Sequence, residues 1–361
     1  MTPSVSFEPD WVSAPGETIV ELLNQSGLSV SDLALKLSQS ENFIQALLGG
    51  SASLSHDVAL ALEHSIGGSA QFWMNREVQY RHDLAALQSA GPLMGPDEFL
   101  EALPTNEMIS FGWISSTSSM AASVASCLAF FDVPNIGTWQ SRYFESTAIA
   151  AFRSSPTFES KKGPVSAWLR WGEIQAARAI CKPWNAEDFQ KVLATIRKLT
   201  RLKDPASFLP RLQDICQRCG VAVVVAKAPT GCRASGAARF LSSRRAMILL
   251  SFRHLTDDHF WFSFFHEAAH LLLHDKTQVF IDGDEESALL QEQQANDFAA
   301  DCLISGKQRF ILDSIPVNSR SIIRFALRVG VAPGIVVGQL QHAGRLKRNQ
   351  LNSLKRRYKW S

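Results

Sequence analysis

Several things are scarce in this 361-residue chain. No apolar stretch reaches the length needed to cross a bilayer, and the run at 220–226, GVAVVVA, is strand-sized. No membrane association is therefore expected. The opening MTPSVSFEPDW lacks the basic stretch and apolar run of a secretory signal. Cysteine is sparse, and the six thiols are scattered, which fits a reduced, cytoplasmic protein without a disulfide framework. Cys216 and Cys219 have the spacing of a metal or redox pair, but a second such pair is absent. Ordinary thiols near a helix end are expected there. Each end is also poor in one sign of charge. Residues 1–80 hold two bases (Lys36 and Arg76) against nine acids, a balance of −7. Residues 306–361 hold one acid (Asp313) against twelve bases, a balance of +11. Opposite fields at the two ends shape any argument about partners.

What is present describes a folded chain. Apolar residues make up 46% and charged residues 19%, outside the range of disordered proteins. The length implies two to four domains. Apolar residues recur at three- and four-residue spacing in 16–25, 31–37, 41–48, 57–66 and 70–87, which predicts five short helices. Ser29, Ser40, Ser55 and Ser69 stand where N-caps belong, and Gly27, Gly49 and Gly67 stand where helices stop. The pair 31–37 and 41–48 has a helix-turn-helix pattern. Gly91-Pro92 and Gly95-Pro96 mark a linker. From 97 to 200 the pattern is helical and rich in Trp and Phe (Trp113, Phe130, Phe131, Trp139, Trp168, Trp171), a core signature rather than a ligand site. Three strand-like runs follow at 220–226, 235–241 and 246–252. A long helix is expected from Asp258 to His274, a polar loop after it, and a second helix from Glu286 to Leu303. The expected fold class is α+β, predominantly α-helical. Its parts are an N-terminal helix-turn-helix domain (1–88), a helical middle domain (97–205), a small α+β unit with a short sheet (206–305) and a basic helical region (306–361).

The chemistry concentrates in FHEAAHLLLHD. Residues four apart share a helix face, so His266 and His270 are placed to hold one Zn²⁺ through their imidazoles. Glu267, one residue round, is placed to take a proton from water beside the metal. The bland alternative is a pair of buried histidines satisfied by local hydrogen bonds. A catalytic zinc needs a third protein ligand. Glu292 on the next helix fits, with Glu285 and Glu286, in or beside the loop, as rivals. Asn296, one turn beyond Glu292, could hydrogen-bond a ligating histidine, and His274 could do so or pack at the helix end. Arg239, Arg253, His259 and His274 are candidates to stabilise charge on a reacting carbonyl. The nearest candidate for a sheet edge that would hold an extended substrate is 246–252.

FWFSFFHEAAHLLLHD followed by EQQANDFAADCLI resembles the ImmA/IrrE family of gluzincin-like zinc metallopeptidases. The family pattern is H-E-x-x-H-x-L-L-H and then E-x-x-A-[ND]-x-F-A-A. The resemblance implies metal ligands at His266, His270 and Glu292 and a general base at Glu267. Ala269 replaces the family's usual Gly, and the Pro that often follows the second motif is missing. Neither departure removes a ligand. The implied activity is hydrolysis of a peptide bond in a regulatory protein, a repressor or a toxin-system partner.

The N-terminal segment, PGETIVELLNQSGLSVSDLALKLSQSENFIQALLGG with ALALEHSIGGSAQFWMNREVQY, resembles HigA-like, lambda-repressor-type helix-turn-helix domains. That resemblance implies a regulator linked to toxin–antitoxin or stress-response systems. The alternative reading is a DNA-binding transcriptional regulator or antitoxin whose zinc unit is structural or sensory; for the module itself the rival to DNA binding is a protein-docking or dimerising domain, and a homodimer is among the expected partners. Charge opposes DNA binding through this module alone. Residues 40–48 contain no Lys or Arg and one acid, Glu41, whereas phosphate neutralisation supplies most nonspecific affinity. Ser40, Asn42 and Gln45 remain as base-reading candidates. In the basic region, Arg320, Arg324 and Arg328 share a helix face. That face and the run 354–360 are expected to be solvated, to contact nucleic acid, or to dock against the acidic module.

Overall fold

The structure is a computed structural model that describes residues 15–37, 39–50, 52–89, 94–144, 161–253, 255–274 and 285–359. The opening MTPSVSFEPDW, the expected linker Gly91-Pro92, the polar loop after His274 and Trp360 lie outside these residues. The chain forms two compact units, Met1–Leu93 and Met94–Ser361. Predominantly helical α+β architecture is what the structure has: many helices and one three-stranded sheet. No single helix among the described residues is long and apolar enough to cross a membrane.

The first unit consists of α1 (Pro15–Ser26), α2 (Val30–Lys36), α3 (Glu41–Leu48), α4 (His56–Ile66) and α5 (Ala70–Ser89). The four expected serine caps are all made. The hydroxyls of Ser29, Ser40, Ser55 and Ser69 accept from the backbone N–H of Asp32, Phe43, Val58 and Phe72. Each satisfies a donor that the helix start leaves without an intrahelical partner, at about 1 kcal/mol. The apolar faces meet in a core of Ile19, Leu23, Leu33, Ile44, Leu47, Val58, Leu62 and Trp73. At Gly16 a Cβ would fall 2.2 Å from the Leu48 carbonyl oxygen, so glycine there lets α1 and the end of α3 touch backbone to backbone. On α3, Asn42 and Gln45 are exposed, while the Ser40 hydroxyl is occupied as a cap.

The second unit begins with α6 (Pro96–Ala102), α7 (Thr105–Ser110), α8 (Met120–Phe131), α9 (Ile136–Trp139), α10 (Lys162–Arg178), α11 (Ala186–Leu199) and α12 (Pro205–Gln217). Then come β1 (Val221–Val225), β2 (Gly236–Ser242) and β3 (Arg245–Leu250), followed by α13 (Asp257–Leu273), α14 (Glu285–Leu303), α15 (Gly306–Ser314), α16 (Ser319–Val329) and α17 (Pro333–His342). Strand order is β1-β3-β2. β3 lies parallel to β1, with Val221 opposite Ala246, and antiparallel to β2, with Gly236 opposite Leu250. Side chains alternate between the two faces of a strand, and here each face buries a different core. Val221, Val223, Ala246, Ile248 and Leu250 join Phe208, Phe260, Trp261, Phe264, Phe265, Phe325 and Val336. Ala222, Val224, Met247 and Leu249 join Phe99, Phe131, Trp139 and Trp168. The segments expected as 97–205, 206–305 and 306–361 share these cores, since α11, α12, α13, α16 and α17 all contribute to the first. The aromatics of the middle region behave as core: Phe131, Trp139 and Trp168 are fully buried, and Trp113 stacks on Trp171 with ring centroids 5.3 Å apart.

The basic run near the end is partly internal, which corrects its expected role as a surface. Lys355 Nζ lies 2.5 Å from Asp258 Oδ2, both side chains buried. Arg356 donates to the carbonyls of Thr200 and Leu202 at 2.9 and 3.0 Å, capping the C-terminal end of α11. Arg357 bridges Thr256 in antiparallel fashion, and the Tyr358 N–H donates to Leu255 O. Residues 355–358 therefore clamp the start of α13. Arg320, Arg324 and Arg328 do stand exposed on α16.

The clamp contains a buried carboxyl. Asp257 is fully buried; its Oδ1 accepts from the N–H groups of Arg356 and Asp258, and its Oδ2 has no hydrogen-bond partner. Burial, with the charge of Asp258 adding, pushes the carboxyl up to about 6 from 3.8, against the lowering effect of the Arg356 N–H. Folding thus favours the protonated form. The contribution of this group is intact below about pH 4 and is lost as pH rises through about 6. A rise of about two units corresponds to about 3 kcal/mol at most. Asp257→Asn keeps the Oδ1 acceptor and removes the charge. It is expected to stabilise the protein at pH 7 by about 1–2 kcal/mol, with little effect at pH 4. Urea unfolding at the two pH values measures this; a variant no more stable than the native chain at pH 7 contradicts it.

Candidate metal centre

α13 is buried on most of its circumference: Phe260, Trp261, Phe264, Phe265, Ala268, Ala269 and Leu271 all lie inside. Asp257 and Asp258 occupy its first turn. α14 packs along it, and the fully buried Ala295 and Ala299 let the two backbones approach. Four-residue spacing on one helix and a glutamate on the other then produce a convergence. His266 Nε2 and His270 Nε2 stand 3.1 Å apart. Glu292 Oε2 lies 3.2 Å from the first and Glu292 Oε1 lies 3.4 Å from the second. Among the described residues this is the one group of three metal-capable side chains whose ligand atoms lie within 4.8 Å of one another. The side chains of Glu285 and Glu286, the rival third ligands, lie outside the described residues.

The other ring nitrogens are engaged. His266 Nδ1 lies 3.1 Å from Asn296 Oδ1, the partner expected for a ligating histidine. His270 Nδ1 lies 2.9 Å from His274 Nδ1, and His274 Nε2 lies 3.3 Å from Gln294 Oε1. Local hydrogen bonds thus occupy one nitrogen of His266 and one of His270, and the remaining nitrogens face a carboxylate. Donors bonded at about 2.0–2.2 Å in a tetrahedron stand about 3.3 Å apart, so the observed spacing suits a small divalent metal ion.

Electrostatics follow from the clustering. Burial alone would raise the Glu292 carboxyl, but hydrogen bonds from His266 and His270, together with their charges, outweigh it and hold it at about 2. Burial alone would lower the His266 imidazole; the Glu292 hydrogen bond and the charges of Glu267 and Glu292 outweigh that and leave it raised. Glu267 is 8% exposed, and burial pushes its carboxyl above the usual glutamate value against the two imidazoles. Gly236, at the start of β2, explains how Glu267 fits. A Cβ there would lie 2.5 Å from Glu267 Oε1 and 2.6 Å from its Cγ. An isolated glycine beginning a strand is a signal of close approach, and the motif alone does not reveal it.

One reading needs correction. β3, the expected edge for an extended substrate, is the central strand, hydrogen-bonded on both sides; among the described residues β1 and β2 are the edges, and β2 packs against α13. A run as apolar as 246–250 belongs in the middle of a sheet. The four candidate electrophiles are dispersed. Arg239 pairs with Glu173, and Arg253 donates to the Arg233 carbonyl. His259 sits two turns before His266, about 10 Å along the helix, in a niche lined by Ser235, Ser251 and Ser263. Only His274 touches the cluster. Cys216 and Cys219 are buried free thiols at the end of α12.

Residues 216–331 match the family model Peptidase_M78, the IrrE N-terminal-like domain. The matched stretch runs from the last turn of α12 through the sheet, α13 and α14 to the residues just after α16, and it contains the whole cluster. No curated protein matches the chain.

Proposed function

We propose that this chain is a zinc-dependent endopeptidase acting on a regulatory protein. The observation that carries the reading is the convergence of His266 Nε2, His270 Nε2 and Glu292 within 3.1–3.4 Å, with the buried Glu267 beside them. His266, His270 and Glu292 would hold the metal. Two imidazoles and one carboxylate form a donor set typical of catalytic zinc, which needs three protein ligands and an open position. Zinc in such a site supplies Lewis acidity toward a peptide carbonyl and lowers the proton affinity of water. Glu267 accepts a proton from the attacking water at its carboxylate and delivers it to the departing amine. Burial raises its affinity for a proton, which suits the accepting half of that shuttle. The edge strand β2, whose Gly236 touches Glu267, offers backbone hydrogen bonds to an extended substrate segment. The likeness to ImmA/IrrE peptidases supports a repressor or toxin-system partner as substrate, and the acidic N-terminal unit supports docking to a protein rather than to DNA.

Metal analysis tests the centre. The purified full-length chain is expected to carry about one zinc per molecule, and Glu292→Ala about a tenth of the native zinc affinity or less. If zinc content is unchanged when His266 and His270 are both replaced by alanine, the metal lies elsewhere and the reading fails.

A further inference from the structure

The two histidines of the centre are held by different kinds of partner. His266 meets an amide oxygen directly, whereas His270 meets a second histidine that in turn meets an amide oxygen on the neighbouring helix. We propose that Gln294 and His274 form a two-step relay that fixes the ring tautomer of His270, making both of them positioning residues for the metal. The inference rests on the zinc reading above.

The wiring follows from donors and acceptors. A neutral imidazole has one N–H and one lone pair. Gln294 presents Oε1, an acceptor, to His274 Nε2 at 3.3 Å, so His274 carries its proton on Nε2. His274 Nδ1 is then a lone pair, which can only accept from His270 Nδ1 at 2.9 Å. His270 therefore keeps a proton on Nδ1, and its Nε2, which donates to Glu292 in the metal-free centre, is the nitrogen that gives up its proton and offers a lone pair to a metal. Reversing the first bond reverses each later one: an N–H donor at position 294 would turn His274 round and place the His270 proton on Nε2, inside the centre. Asn296 Oδ1 achieves the same result for His266 in one step. The spacing is a property of the helices. His270 and His274 lie one turn apart on α13, with His274 at its C-cap, while Glu292, Gln294 and Asn296 come from a single stretch of α14. One stretch thus provides a ligand and orients both histidines.

The test uses the full-length chain and zinc affinity measured by competition with a chromogenic chelator. His274→Leu removes the acceptor and is expected to weaken zinc binding about 10–100-fold. His274→Asn places an amide oxygen where Nδ1 stood and is expected to retain affinity within a few-fold of native. Gln294→Leu is expected to weaken binding several-fold in the native background and to have no effect in the His274→Asn background, where no tautomer remains to be set. A merely structural role predicts that the two losses add. The relay is overturned if His274→Leu binds zinc as tightly as the native chain, if His274→Asn is as weak as His274→Leu, or if Gln294→Leu costs the same in both backgrounds. A native chain that binds no zinc overturns both the relay and the zinc reading. A native chain that binds zinc while His274→Leu equals it overturns the relay alone.

Discussion

Glu267→Gln is expected to bind zinc as the native chain does and to lose peptide-bond cleavage by about 10²–10⁴-fold. The substitution is close to isosteric, which matters because the side chain is buried and touches β2 at Gly236. The three converging donors, His266, His270 and Glu292, are left unchanged. What disappears is the ability to accept a proton and hand it on. Because the amide cannot take a proton while the donors are untouched, the loss falls on the chemical step rather than on metal binding. Peptide-library cleavage read by mass spectrometry, with zinc content measured on the same preparations, gives both numbers. Equal cleavage by the two proteins would remove the peptidase reading even if the metal is present.

Gly236→Val is expected to lower kcat/KM by about 10²-fold without emptying the centre. The added Cβ would stand 2.5 Å from Glu267 Oε1, well inside van der Waals contact, with branched methyls beyond it. Either β2 withdraws or the carboxylate turns away, and displacement by about 1 Å is enough for a loss of that size. The same strand is the edge offered to substrate, so both the base and the docking rail are disturbed. Gly236→Ala should show a smaller loss of the same kind. Zinc content and the thermal midpoint separate a displaced base from a collapsed fold. Native kcat/KM in the valine variant would mean that the strand does not constrain Glu267.

The parts legible in the sequence are those governed by neighbours along the chain. Ser29, Ser40, Ser55 and Ser69 could be read as caps because each satisfies a donor three residues away. His266 and His270 could be placed on one face because helix geometry dictates it, and Glu292 and Asn296 because α14 is equally regular. What could not be read depends on distant pairing. The order β1-β3-β2 follows from which strands hydrogen-bond, and nothing in 246–252 alone says that it has two neighbours. The contact of Gly236 with Glu267 spans thirty-one residues and two kinds of secondary structure. Lys355 looked like part of a solvated basic run because Asp258, its buried partner, lies almost a hundred residues earlier. Gln294 differs from its neighbours only in facing His274, and composition cannot reveal that.

The clamp formed by residues 355–358 on the head of α13 ties the folding of that helix to residues made about a hundred positions later. A ribosome that has just released His266 and Glu267 has yet to make the lysine that neutralises Asp258 and the strand that pairs with Thr256. Until those residues emerge, Asp258 lacks its counter-ion and the helix start lacks its backbone partner. A nascent chain therefore completes the head of α13 only once residues 355–358 have been made.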